Sequence, residues 1–218
     1  MKLLSIDATR MTRLFQLKQT KGQPSAPQMA AALVDRYSFA GTPTSLADLT
    51  ANPTEFSHGV FEKISIEKLD VYNDGVVVSA RAPSDLLEAF LEDLIHWIYD
   101  DFGLEIWVSR EVTRNYHSEL VVELDPNVMN VLDQLNGIGE RLSKMLAENS
   151  GMRIDYHPLG FSYSSDQASN DGFIPSSFRL ERRLASEFKL NQFVSSAPLT
   201  TSQHLELLEF IEATARLG

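Results

Sequence analysis

Apolar and polar positions along the chain change period several times, and each change marks an element. Over "FEKISIEKLDVYNDGVVVSARAP" (61–83) apolar residues alternate on both sides of Asn73-Asp74-Gly75. Period-two alternation around a turn that tolerates positive φ predicts a β-hairpin. The next stretch, "SDLLEAFLEDLIHWIYDDFG" (84–103), switches to a period near 3.6. Leu87, Phe90, Leu91, Leu94 and Ile98 fall on one stripe, widened by Leu86, Ile95, Trp97 and Phe102. A heavily buried helix is predicted, capped by Ser84 and stopped near Gly103. "LEIWVSREVTRNYHSELVVELD" (104–125) predicts two further strands with a break near Asn115.

The flanking segments repeat these signals less cleanly. "SIDATRMTRLFQLKQ" (5–19) alternates loosely and reads as strand. "PQMAAALVDRYSF" (27–39) is a short helix with Pro27 in its first turn. Residues 40–59 carry closely spaced turn formers and predict an irregular connection with one helical turn. A helix follows Asp125-Pro126 and runs to about Glu148, then a strand spans 152–166 and a loop 167–177. "FRLERRLASEFKLNQFVSSAPL" (178–199) predicts a hairpin or two strands. "TTSQHLELLEFIEATARL" (200–217) predicts a helix capped by Thr201 or Ser202. Helices spaced among hairpin-linked strands predict an α+β fold, mainly antiparallel sheet packed against three or four helices. The chain reads as one domain over 1–218 or as two closely packed halves, 56–125 and 126–218, with 1–55 as an arm or added layer.

Composition narrows the function. With 218 residues and 43% apolar content, a core can form without staples. There are no cysteines, so disulfides and thiolate-held metals are excluded. No apolar run approaches the ~20 residues of a membrane span. "MKLLSIDATR" lacks the apolar core of a secretory signal, so cytoplasm is the expected location. The net charge of −11 repels polyanions unless a local basic patch intervenes, which disfavours nucleic acid and anionic membranes as partners.

"VLDQLNGIGERLSKML" (131–146) resembles a helix-hairpin-helix, although Asn136 stands where that module commonly has proline. The resemblance implies that Gly137, Ile138 and Gly139 form a turn presenting backbone N–H groups to a phosphate, with Arg141 and Lys144 as supporting cations. Against it, Val128, Val131, Leu135, Ile138, Leu142 and Met145 follow at steps of 3, 4, 3, 4 and 3 straight through the glycines. That phase predicts one continuous amphipathic helix with a buried stripe. Asp133, Glu140 and Glu148 around the two cations also fit DNA poorly.

Other groupings carry weaker signals. His117 and Glu119 share one strand face, as do Asp155 and His157, and adjacency of the two strands would converge four ligands on a metal. Arg179, Arg182, Arg183 and Lys189 form the densest basic cluster, suited to an acidic partner or a phosphate. His204 reads as a surface residue. No serine elbow, phosphate loop or dinucleotide fingerprint is present, and no cofactor is implied. The expectation is a non-catalytic subunit that binds other protein chains or itself. The alternatives are an enzyme or metal-binding domain built on scattered histidines and carboxylates, and a nucleic-acid binder using the glycine turn.

Overall fold

The hairpin around Asn73 and Asp74 belongs to an eight-stranded antiparallel sheet. The structure, a computed structural model, describes residues 1–19, 25–107, 114–150, 154–166, 168 and 174–216. In chain order the elements are β1 (Lys2–Leu14), β2 (Gln16–Gln19), α1 (Ala26–Tyr37), α2 (Leu46–Leu49), β3 (Thr54–Phe61), β4 (Ile64–Tyr72), β5 (Gly75–Ala80) and α3 (Ser84–Phe102). Then come β6 (Leu104–Trp107), β7 (Arg114–Glu123), a 3₁₀ helix (Pro126–Leu135), α4 (Asn136–Ser150), β8 (Gly160–Tyr163), β9 (Phe178–Arg182), a 3₁₀ turn (Phe188–Leu190), β10 (Gln192–Ala197) and α5 (Thr201–Ala215). The α+β reading holds.

The strand order is β3-β4-β5-β1-β7-β10-β9-β8, with β2 and β6 forming a separate ribbon. Residues 2–14 are therefore a central strand. Alternation decides which residues face the helices: Thr9 and Met11 are buried while Arg10 between them is exposed. Thr9 pairs with Ala80 and Ser118, and Met11 with Val78 and Tyr116, so one sheet face gathers these side chains under α3 and α5.

Two apolar clusters result. One packs Met11, Leu69 and Val78 against Leu87, Phe90, Leu91 and Leu94 of α3, together with Tyr37 of α1. The other packs Leu120, Val122, Leu180 and Phe193 against Leu208 of α5 and Val128. Each fully buried Leu or Phe contributes roughly 1.5–3 kcal/mol. Arg36 and Tyr37 bind Asp93 of α3, at 2.8 Å from Nη2 to Oδ1 and 2.7 Å from the phenol to Oδ2, which fastens α1 to α3.

Local expectations shift in five places. Ser84 does not cap α3, since Pro83 is the N-cap and Ser84 is the first helical residue. Thr200 caps α5, its side chain accepting from Gln203 N–H in a capping box. The irregular stretch 40–59 includes the start of β3 at Thr54. The long helix after Pro126 begins as 3₁₀ and becomes α only at Asn136. Of the strand expected over 152–166, positions 152 and 153 lie outside the described residues, residues 154–159 take no regular form, and β8 is the part that forms.

Candidate functional site

The helix after Pro126 carries the clearest departure from ordinary burial. Val128 enters the second core, but the rest of its stripe does not: Val131 is 49% exposed, Leu135 46%, Ile138 60%, Leu142 47% and Met145 53%. The expected buried stripe is thus a solvent-facing one. The cause lies one residue along the helix. Gly139 is buried beneath the carbonyl of Tyr156, and a Cβ there would sit 2.4 Å from that oxygen. The Ser143 hydroxyl accepts from Tyr156 N–H at 3.0 Å and donates to Gly139 O at 2.9 Å. Because α4 rests on the 154–158 segment through Gly139 and Ser143, Ile138 and Leu142 are rotated about 100° away from it.

A second apolar surface adjoins the first. Val131 also lines an open groove of about 500 Å³ with Phe161 and Tyr163 of β8, Phe178 of β9, and Phe210 and Ile211 of α5. Phe161 and Tyr163 stand edge to face with centroids 5.9 Å apart. Tyr163 and Phe210 are more than two-thirds exposed. Strand β8 is the last of the sheet, so the groove lies along an edge. Glu206 and Glu209 on α5 are exposed and make no ion pair among the described residues. On α4 the charges beside the stripe are mixed, with Glu140, Arg141 and Lys144 all exposed, so the acidic margin lies on the α5 side.

The other residues singled out in the sequence fall as follows. Gly137, Ile138 and Gly139 have helical backbone in the first turn of α4 and form no turn between two helices. Arg141 and Lys144 are exposed on α4. His117 and Glu119 share the sheet face opposite the helices, with His117 Nε2 3.2 Å from Glu119 Oε1 and Nδ1 3.0 Å from Ser176 Oγ. The side chains of His117 and Glu119 are 28% and 44% exposed. Asp155 and His157 lie instead in the irregular 154–159 segment, lining a cavity against α4. The four expected ligands are not brought together because Asp155 and His157 occupy no strand beside β7. Among the described residues no group of three or more histidines and acids converges.

The basic cluster divides between two faces. Arg179 pairs with Glu181 on the open side of the sheet, and Arg183 Nη1 donates to Gln192 Oε1. Leu184 is exposed in the turn after β9. Arg182 points to the helix side, where it shares a cavity with Lys189 and His157.

His204 is the residue most misjudged from sequence, being fully buried. Ser195 Oγ donates to Arg179 O and so accepts from His204 Nε2–H at 2.8 Å, while Ser118 Oγ donates to Nδ1 at 2.7 Å. Burial, then the nearby His117, pushes its pKa down to about 4. A neutral imidazole with both nitrogens occupied is a tie between α5, β7 and β10. Its position one helical turn before buried Leu208 was the available signal.

No family model matches this chain, and no curated protein matches it.

Proposed function

We propose that this protein is a non-catalytic assembly subunit that binds an amphipathic helix of a different chain. The observation that carries this reading is the outward stripe Leu135, Ile138, Leu142 and Met145, continuous through Val131 with the aromatic groove. An apolar tract of this kind on a monomer marks a contact surface. Its 3-4 spacing matches the seam that one helix offers another. Charge selects the partner. Exposed Glu206 and Glu209 stand on α5 next to the groove residues Leu207 and Phe210, and a second copy would bring the same acids and another −11 against them. A helix with Lys or Arg flanking its apolar stripe meets complementary charge and is steered towards it. No described helix is long and apolar enough to cross a membrane, and the reading places the complex in the cytoplasm.

The test installs a photo-crosslinking residue at position 142 or 210 and maps the adduct by mass spectrometry in cells that make the protein. Crosslinking to a basic amphipathic helix of another chain, abolished by Leu142→Glu with Phe210→Glu, supports the proposal. Crosslinks to a second copy would replace it with self-assembly, and a monomer without adducts ends it.

A further inference from the structure

Among the described arginines only Arg13 and Arg182 are partly withdrawn from water, and Arg13 binds Glu92 at 2.6 Å. Arg182 is half-buried and has no carboxylate partner among the described residues, in a chain with 30 acids. Its guanidinium is instead fixed by packing: it lies 5.1 Å from the Phe188 ring centroid and 5.4 Å from that of Phe193, and Nη1 donates to Phe188 O at 2.9 Å. One N–H of five is thereby used. Ring contacts recover part of the cost of withdrawing a cation from water, and a counter-charge is still lacking.

The missing counter-charge has a place to sit. Arg182 lines a cavity of about 580 Å³ with Lys189, His157, Asn130, Asn191 and Phe188, and with one acid, Asp133, whose Oδ1 accepts from Asn136 Nδ2 at 3.2 Å. Three separate chain segments thus deliver three nitrogen donors capable of positive charge to one concavity. Among the described residues the Lys189 ammonium is held only by Glu187, at 2.5 Å, in a pair whose side chains are 75% and 68% exposed, so an incoming anion competes for it at little cost. A single carboxylate is satisfied by one guanidinium fork, whereas a tetrahedral dianion uses donors from several directions. The volume exceeds that of an inorganic anion and falls in the range of small-molecule sites. Phe188, 37% exposed at the rim, offers a ring face or edge to an organic group.

We infer that this cavity is a phosphomonoester site, with Arg182 as the anchoring cation, Lys189 and His157 as closing donors, and the ester group lying against Phe188. No bond is made or broken in it. Docking on the α4 stripe is a separate property, so either reading stands without the other.

Isothermal titration of the full chain at low salt, with inorganic phosphate and with phenyl phosphate, tests it. Saturable binding of both is expected, tighter for phenyl phosphate. Arg182→Gln should weaken it about tenfold or more, the effect of losing a charge-assisted hydrogen-bonding partner. Lys189→Ala and His157→Ala alter exposed side chains and keep the test valid if Arg182→Gln fails to fold; each should weaken binding several-fold. A phosphotyrosine peptide separates the sources: binding as tight as phenyl phosphate identifies a modified protein side chain, and exclusion of the peptide identifies a small metabolite. No saturable binding of either probe, or affinity unchanged in the folded variants, overturns the inference.

Discussion

Ser84 and Thr201 cap one another: the Ser84 N–H donates to Thr201 Oγ1 and the Thr201 N–H donates to Ser84 Oγ, both at 3.0 Å. Both residues are buried, and each is the first residue of its helix, so α3 and α5 meet end to end over the central strands. The amides would otherwise be unsatisfied helix-terminal donors away from water. Ser84→Ala should therefore destabilise the protein by about 1–3 kcal/mol, and Thr201→Val by a similar amount. In urea denaturation the costs of the two single variants should add, because the two bonds use different donors and acceptors and the double variant leaves both amides unpaired.

Acid sensitivity should begin at His204. Its folded pKa, about 4, lies below the ordinary 6.5, so the unfolded chain takes up the proton first. Stability from this residue is complete above pH 6.5 and declines as pH falls from there towards 4, by roughly 3 kcal/mol in total. The lowered carboxyl pKa values of Asp93 and Glu212 remove stability only further down, below the ordinary values of 3.8 and 4.5. Urea midpoints measured between pH 7 and 5 should fall steadily, and His204→Gln, less stable at pH 7, should lose that part of the slope. A flat wild-type profile over this range would contradict the buried neutral assignment.

Two similar helical stripes should respond oppositely to mutation. Leu91→Ala in α3 empties a fully buried site and should cost about 2–5 kcal/mol. Leu142→Lys in α4 alters a side chain that is 47% exposed and belongs to neither apolar cluster of the described residues, and should stay within about 0.5 kcal/mol of wild type. Thermal unfolding of the isolated protein distinguishes the two.

The two glycines of α4 should also diverge. A Cβ on Gly137 meets nothing within 4 Å, so Gly137→Ala should stabilise by about 0.5–1 kcal/mol through helix propensity alone. Gly139→Ala collides with the Tyr156 backbone and should detach α4 from the 154–158 segment. Faster amide exchange at Tyr156 in that variant is the expected sign, since its N–H is held by Ser143.

The legible parts of the sequence were those whose signal is local. Alternation about Asn73-Asp74 located β4 and β5, and the stripe of Leu87, Phe90, Leu91 and Leu94 located α3, because a buried face imposes its period on the residues that line it. The same rule misled at α4. A 3-4 stripe states that an apolar face exists but not what covers it. His204 was hidden for the complementary reason: a polar residue on a helix reads as surface until Ser118, 86 residues earlier, and Ser195, on the strand just before the helix, prove to be its partners.

The sequence by itself determined the α+β class, the principal strands and helices, and an acidic, cysteine-free surface, since these follow from residue spacing and composition. Only the tertiary structure decided that α4 turns its stripe outward, that Arg182 joins Lys189 and His157 while Arg179 and Arg183 point elsewhere, and that His117 and Asp155 never meet. Those outcomes depend on strand order and on one close approach, Gly139 against Tyr156, between residues whose positions in the chain carry no mark of each other.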